Sequence, residues 1–185
     1  MKPTFEYAAS VLTLAFSTDP PVRWMYRDSC QYVTYFPKFV RALAGRALEH
    51  GTIDSLEGCP AVAFWLPAGV QPDEQALIAF AKQSVSEALQ EDMFALFEKM
   101  GSSHPAEPHW YLPLIGVDPA WHGAGYGSEL LKRGLARCDS DRVPAYLEAT
   151  NPRNRSLYER LGFEQIGTIQ LGSSPPIFPM TRKPR

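Results

Sequence analysis

The 185-residue sequence has few of the features that mark secreted, membrane or disulfide-bonded proteins. Its three cysteines, Cys30, Cys59 and Cys138, lack C-x-x-C spacing and nearby histidines, and their odd number argues against a disulfide framework. The first apolar run, residues 11–16, is interrupted by Thr13 and is too short for a signal-peptide core or a membrane span. We therefore expect a cytoplasmic protein without a metal site.

Strong charge of either sign is also lacking. The chain has 18 Lys and Arg against 20 Asp and Glu, a formal net charge of -2, and its basic residues are dispersed. Without a basic patch, neither nucleic acid nor an anionic membrane surface is an expected partner, and a small molecule or peptide fits better. The length and a hydrophobic content of 45% suit one domain over residues 1–185. The oligomeric state stays open between monomer and homodimer.

What the sequence does contain is a glycine-rich loop, WHGAGYGS at residues 121–128, between an apolar segment and a helix-patterned one. Glycines allow the backbone to approach a ligand closely, and a helix N-terminus behind them carries partial positive charge. This combination favours binding of a pyrophosphate. The predicted cofactor contacts in the loop are His122, Gly123, Ala124, Gly125, Tyr126, Gly127 and Ser128.

Two departures from known phosphate-binding motifs narrow the identity of the ligand. An ATP or GTP phosphate loop would end in Gly-Lys-Ser/Thr, but here Gly127 is followed by Ser128 and Glu129. A dinucleotide fingerprint needs G-x-G-x-x-G near the start of a βαβ unit, whereas the third glycine here comes one position early and late in the chain. A nucleotide-dependent kinase or reductase is therefore disfavoured.

A second motif follows about 30 residues later and contains residues typical of the start and the end of a short helix. Asn151 is in position to cap it, Pro152 suits its first turn, and Gly162 lies beyond its end. Asn151, Asn154 and Tyr158 are spaced so that they share one helix face. The pattern predicts a polar face with an aromatic tip, which a buried structural helix would not require.

Together these motifs resemble the GNAT superfamily of N-acetyltransferases. The resemblance rests on two patterns. The first is V-x-P followed by H-x-x-G-x-G over residues 117–127, and the second is an Asn seven residues before a Tyr, followed by Gly-Phe, over residues 151–163. The chain departs from the family at His122, where Gln or Arg is usual, which predicts weakened acyl-CoA binding. Further likeness at residues 65–67 and 109–112 is to the branch containing puromycin N-acetyltransferase.

The resemblance implies an α/β fold: a GNAT-like mixed, splayed central sheet of about seven strands flanked by helices, in a single domain with a helical insert at about residues 72–108. The patterns predict helices at about 20–27, 36–50, from 72, 92–100 and 125–138, besides the Tyr158 helix. Gly101 is expected to close the helix 92–100, and Gly58 to join a hairpin. The predicted strands span residues 7–16, 52–57, 61–66, 109–117, 145–149, 163–170 and 177–181.

The resemblance also implies the activity, the transfer of an acetyl group from acetyl-CoA to a primary amine of a small molecule or peptide in a ternary complex. Asn151 and Asn154 are then cofactor contacts, and Ile115 and Val117 hold the pantetheine arm and the oxyanion through their main chains. Tyr158 is in the position of the acid that protonates the leaving thiolate. The alternative is a non-catalytic acyl-CoA-binding sensor of the same fold.

The base that takes the proton of the amine is less closely defined. Glu148 is the first candidate, because strand alternation places it on one face with Tyr146 and because some family members have a base in a similar position. A solvated Glu148 in a surface ion pair is the competing interpretation. His109 and His122 are second choices for the base.

Overall fold

The computed structural model describes residues 3–56 and 59–185 and consists of helices on both faces of one sheet. The helices are α1 Phe5–Ala15, α2 Pro20–Met25, α3 Ser29–Ala44, α4 Arg46–Glu49, α5 Glu74–Ser84, α6 Glu87–Ser103, α7 Tyr126–Asp141 and α8 Arg155–Arg160. The strands are β1 Ile53–Leu56, β2 Cys59–Leu66, β3 Trp110–Val117, β4 Ala145–Ala149, β5 Glu164–Gln165 and β6 Phe178–Arg182. Short 3-10 turns, Pro119–Trp121 and Pro152–Asn154, follow β3 and β4.

The described strands form a six-stranded sheet in the order β1-β2-β3-β4-β6-β5. Its neighbours are antiparallel except β3 and β4, which are parallel and pair only through Trp110–Ala145 and Tyr111–Tyr146. Beyond Tyr111 the two central strands separate and leave a wedge between their carboxyl ends. The predicted mixed, splayed sheet is thereby confirmed, with six strands in place of about seven.

The missing strand is the first one. Residues 7–15 lie in helix α1 and residue 16 follows its end, so the strand predicted over residues 7–16 is wrong. Thr4 caps the helix, with its hydroxyl accepting from the Tyr7 amide at 3.2 Å. Buried residues recur at a helical spacing: Phe5, Ala8, Ala9, Val11 and Leu12. The short apolar run fits the pattern of a strand and that of a helix, and the Thr4 cap with the buried residues of the first helical turns favours the helix.

Helix α1 packs directly against the central strand β3 at Gly116. A Cβ atom at this position would lie 2.7 Å from the Cβ of Ala15 and 2.9 Å from Cδ2 of Leu12. Only glycine allows this close approach. The end of α1 and the turn into α2 are thus held beside the wedge of the sheet.

Several predicted boundaries also shift. Helix α3 begins at Ser29, because Asp28 caps it through the Gln31 amide at 2.8 Å. Helix α6 begins at Glu87 and continues through Gly101, so that glycine does not close it. The strand predicted over 163–170 is reduced to β5 and an isolated bridge between Ile169 and Ile177. The β1–β2 hairpin is confirmed, although its predicted link at Gly58 lies outside the described residues.

Two apolar cores cover the two faces of the sheet. Helices α1, α3, α5 and α6 enclose one core, while α7 and α8 pack on the other face. Along β4 the side chains alternate, so that Tyr146 faces the first core and Leu147 the second. In the second core Cys138 is fully buried, and burial raises the pKa of its thiol to about 12, which makes a nucleophilic role at neutral pH unfavourable.

Candidate active site

A cavity of about 780 Å³ opens at the wedge between β3 and β4. Every site residue predicted from the sequence lines it, including Ile115, Glu148 and Tyr158, except Ala124 and the second-choice base His109. Helices α1, α2, α3 and α6 contribute a further wall that the motifs do not reveal. The wedge therefore brings together residues that are more than 130 positions apart in the chain.

The glycine loop forms a row of free donors at the edge of this cavity. Gly123 and Gly125 have φ angles of 84° and 87°, in the left-handed region that favours glycine. The backbone N–H groups of residues 123–128 make no hydrogen bond within the described part of the chain. Helix α7 starts directly behind them and adds the positive end of its dipole. Such a row of amides fits the diphosphate of a CoA-type ligand.

His122 has a different set of contacts from those that its sequence position suggests. Its Nε2 donates to the Val117 carbonyl at 3.0 Å, and its amide donates to the Pro119 carbonyl at 3.3 Å. The ring thereby connects the loop to the last residue of β3, and the amide closes the 3-10 turn between them. The departure from Gln or Arg at this position thus has a structural role, in addition to the predicted cofactor contact.

The edge of β3 facing the wedge carries main-chain donors. The register with β2 gains one residue between the Leu66–Tyr111 and Phe64–Leu114 pairs, which is a bulge in β3. The Asp118 amide donates toward β2, to Pro60. Strand alternation then turns the N–H groups of residues 115 and 117 away from β2 and into the wedge. These are the two residues that the family resemblance predicts to hold the pantetheine arm, at Ile115, and the oxyanion, at Val117.

Asn151 and Asn154 lie in the segment that leads from β4 into α8. Asn151 caps the 3-10 turn, with its Oδ1 accepting from the Arg153 amide at 3.1 Å. Asn154 is exposed, and its side chain makes no hydrogen bond to the described residues. Both residues line the cavity with Tyr158, as their shared face predicts.

Tyr158 presents a buried phenol to the cavity. The residue is 6% exposed, and its hydroxyl has no hydrogen-bond partner among the residues described. Burial, followed by the nearby charge of Asp19, raises the pKa of this phenol well above its usual range. The group is therefore a neutral donor at physiological pH.

Asp19 is a site residue that the sequence analysis did not find. It caps α2 by accepting from the Val22 amide at 3.2 Å, and it accepts from the Thr150 hydroxyl at 2.5 Å. Burial raises the pKa of its carboxyl to about 6, against the lowering effect of these hydrogen bonds. The Asp-Pro pair signals a helix start, but nothing in the local sequence signals that Thr150 lies beside it.

Glu148 is enclosed rather than solvated, so its interpretation as a surface ion pair is wrong. Its side chain is 3% exposed, and Oε1 has no partner with hydrogen-bond geometry among the described residues. The phenols of Tyr111 and Tyr146 are neighbours, and the pKa of each is raised by burial and then by the charge of Glu148. A carboxylate in this position can accept a proton from a group in the cavity.

Two histidines extend this group toward the surface. His109 Nδ1 lies 2.8 Å from the Glu107 carbonyl and must donate to it, because a carbonyl only accepts. Burial lowers the pKa of His109, which favours its neutral form with Nε2 as acceptor, and the Nδ1 of His104 lies 2.9 Å from that atom. The Nε2 of His104 then faces Glu148 Oε1 at 3.4 Å. His104, at the end of α6, was not predicted from the sequence.

Comparison with known proteins agrees with this architecture. The model of the Acetyltransferase (GNAT) family matches residues 73–163. Mycothiol acetyltransferase of Kineococcus radiotolerans is 45% identical over 67 residues, which cover 35% of this chain and 22% of that protein. An uncharacterized N-acetyltransferase of Schizosaccharomyces pombe is 35% identical over 78 residues, 40% of this chain and 32% of that protein. The chain thus spans about a third or less of the length of these relatives.

Solved structures extend the likeness over the whole chain. A crystal structure described as histone acetyltransferase HPA2 and related acetyltransferase, from Corynebacterium glutamicum, has 26% identity and a TM-score of 0.67, covering 100% of this chain and 95% of that one. Arylalkylamine N-acetyltransferase 2 from Aedes aegypti has 12% identity and a TM-score of 0.65, with coverage of 98% and 94%, and supports the fold alone.

No helix within residues 3–56 and 59–185 has the length and apolar character needed to cross a membrane. The family match over residues 73–163, the splayed sheet and the structural neighbours show that the chain has the fold of the GNAT acetyltransferases.

Proposed function

We propose that the chain is an N-acetyltransferase that moves an acetyl group from acetyl-CoA to a primary amine of a small molecule or peptide, by direct attack in a ternary complex. One observation carries the proposal: the phenol of Tyr158 lines the same cavity as residues 123 and 125–128 of the glycine loop, whose amides are free of hydrogen bonds to the described residues. A ligand held at its diphosphate by the loop can therefore extend to an acid at the wedge.

The residues of the cavity suit the donor. Acetyl-CoA, which GNAT acetyltransferases use, supplies the acetyl thioester. The loop amides and the α7 N-terminus would hold its diphosphate, and Arg153 and Arg160 line the same cavity with positive charge. The main-chain N–H groups of Ile115 and Val117 would align the pantetheine arm and stabilise negative charge on the carbonyl oxygen. Donors of this kind typically contribute roughly a hundredfold or more in rate.

Glu148 and Tyr158 would move the two protons. An alkylamine has a pKa of about 10.4 if it resembles lysine, so it arrives protonated and must lose a proton before attack. Glu148 would accept that proton, and the amine nitrogen then forms the new C–N bond. As the C–S bond breaks, Tyr158 would give its proton to the leaving thiolate, whose conjugate acid has a pKa of about 8.5 if it resembles cysteine.

The direct test is calorimetry with acetyl-CoA, followed by measurement of CoA release with a panel of primary amines. We expect a 1:1 heat of binding and amine-dependent release of CoA. Absence of both binding heat and thermal stabilisation by acetyl-CoA would contradict the proposal. Membership of the branch containing puromycin N-acetyltransferase stays a prediction from the sequence likeness.

The second candidate is an acyl-CoA-binding sensor without turnover. The contacts of His122 favour it, because both of its donors are already used inside the protein. A sensor would bind acetyl-CoA without releasing CoA in the presence of any amine. The same two measurements therefore separate the candidates.

A further inference from the structure

The walls of the cavity divide into two chemically different parts. Its cationic side chains are Arg153 and Arg160, both on the segment leading through α8. The wall from α1, α2, α3 and α6 contributes no cation among the described lining residues. It contributes aromatic and aliphatic side chains instead, namely Phe16, Trp24, Phe39, Leu43, Phe97 and Met100.

Both carboxyl groups of interest at this cavity are buried. Asp19 is 6% exposed and lies in the turn between α1 and α2. It lines the cavity with the apolar wall and is close enough to Tyr158 for its charge to affect the pKa of that phenol. Glu148 Oε1 is buried without a hydrogen-bond partner in the described protein. Asp19 already accepts from the Val22 amide and the Thr150 hydroxyl, whereas Glu148 Oε1 has only the Nε2 of His104 nearby, at 3.4 Å. A buried carboxylate with so few donors is costly unless a cation faces it. The cavity thus has an anion-binding part and, separately, a part that combines negative charge with an apolar wall.

We propose that the acceptor is a primary amine on a single apolar body, alkyl or aromatic, whose ammonium faces Asp19 and Glu148 while its body packs on the wall from α1, α2, α3 and α6. This inference rests on the proposed function, since it takes the first part of the cavity as the site of acetyl-CoA. It names the acceptor class that the second part fits.

Other acceptor classes fit this wall less well. A diamine or a peptide would bury a second ammonium or several amides against aromatic and aliphatic side chains, among which Trp24 already donates its ring N–H to Ser173 at 3.1 Å. Each unsatisfied group weakens binding by about tenfold or more. An acceptor with a carboxylate or phosphate would bring negative charge toward Asp19 and Glu148. An apolar body instead gains roughly fourfold in binding for each methylene it buries.

The test compares matched amines at saturating acetyl-CoA, with CoA release as the readout. Hexylamine is compared with ethylamine, which has the same ammonium without the body, and with 1,6-diaminohexane, which has the same length and a second charge. A tetrapeptide with a free N-terminus completes the set. We expect kcat/KM for hexylamine to exceed that of each of the other three by at least tenfold.

A variant of the wall tests where the body binds. Phe97→Ala should lower kcat/KM for hexylamine by at least tenfold and leave ethylamine within twofold. Met100→Ala provides a second measurement if the first variant is unstable. Ile78→Ala is the matched control, because Ile78 is exposed on α5 and does not line the cavity; it should change neither substrate.

Two outcomes distinguish the failure of this inference from failure of the proposed function. Turnover of ethylamine, the diamine or the peptide as fast as hexylamine, with acetyl-CoA binding intact, would overturn the acceptor class alone. Equal loss for hexylamine and ethylamine in both wall variants would overturn it as well. Acetyl-CoA that neither binds nor turns over with any amine would overturn the proposed function itself.

Discussion

At the scale of single residues, the proposed chemistry depends on two buried groups, Tyr158 and Glu148. Burial and the nearby charge of Asp19 raise the pKa of the Tyr158 phenol, which keeps it neutral and suits it to the proposed role of acid. Glu148 is enclosed together with the phenols of Tyr111 and Tyr146, and His104 Nε2 lies 3.4 Å from its Oε1. Substitutions that preserve shape and remove one proton-transfer group separate these roles.

Tyr158→Phe removes the proposed acid and keeps the aromatic contact with Phe163, whose ring centroid is 6.0 Å away. We expect kcat to fall by about a hundredfold or more, because general acid catalysis contributes about 10²–10⁴. Affinity for acetyl-CoA, measured by calorimetry, should change less than twofold. Tyr7→Phe, at an exposed position of α1, is the control. Unchanged turnover with a good acceptor would remove Tyr158 from the mechanism.

Glu148→Gln removes the proposed base with little change of volume. The rate should fall, and the rise of kcat/KM with pH that reports the base should flatten, because the amide cannot accept the proton of the amine. The measurement is a pH-rate profile with a single amine. Glu159→Gln, on the exposed face of α8, should leave the profile intact. An unaltered profile in Glu148→Gln would assign that residue a structural role.

Asp19 also makes stability depend on pH. Its carboxyl has a pKa of about 6 when folded against about 3.9 when unfolded, so the folded state holds the proton more tightly. The stabilisation is fully present below pH 4 and is lost as pH rises through 6, about 3 kcal/mol in total. Urea unfolding at pH 4.5 and 7.5 should show this decrease, and Asp19→Asn should reduce it. Equal slopes in both proteins would show that Asp19 titrates normally.

At the scale of elements, local signals predicted the structure where caps and glycines mark the boundaries. The loop before α7, the strand β4 and the turn into α8 occur where the sequence indicates. The strand predicted for the first segment was wrong, because a short apolar run fits the periodicity of a strand as well as that of a helix. The packing of α1 on Gly116 is a contact between residues far apart in the sequence, which the local pattern does not show. For the same reason Asp19 and His104 were missed: they reach the site through the ends of α1 and α6, far from the motifs.

Gly125→Ala tests the loop as an element. The φ angle of 87° is strained for alanine by about 1–2 kcal/mol, although a Cβ atom there meets no neighbour within 4 Å. We expect relaxation of the loop to misdirect its amides and to weaken acetyl-CoA binding by at least tenfold in calorimetry.

Gly101→Ala makes the same chemical change inside α6, where a Cβ atom is also free of contacts. It should raise the free energy of unfolding by about 0.5–1 kcal/mol without changing binding of acetyl-CoA. Similar binding by the Gly125→Ala variant and this control would show that the loop conformation does not determine affinity.

At the scale of the whole molecule, the wedge exists because β3 and β4 pair at one end only, while helices fix their positions elsewhere. The C-terminal strand β6 holds β4, and Arg182 on β6 joins it to α7. The guanidinium of Arg182 contacts both carboxylate oxygens of Asp139, at 2.7 and 3.0 Å. This bidentate pair connects the helix that carries the glycine loop to the strand beside the site.

The pair predicts an asymmetric response to substitution. Arg182 is 4% exposed, whereas the Asp139 side chain is 27% exposed. Asp139→Asn therefore leaves a buried charge unpaired and should lower the free energy of unfolding by about 3 kcal/mol or more, while Arg182→Leu should lower it by less.

The pKa of Asp139 is lowered, first by its hydrogen bonds with Arg182. Its stabilisation is therefore present above about pH 4 and is lost as pH falls through the folded pKa, opposite in sign to Asp19. Denaturant unfolding from pH 3 to 7 should show this loss in the wild type and not in Asp139→Asn, and an equal cost of the two substitutions would contradict the role of the buried guanidinium.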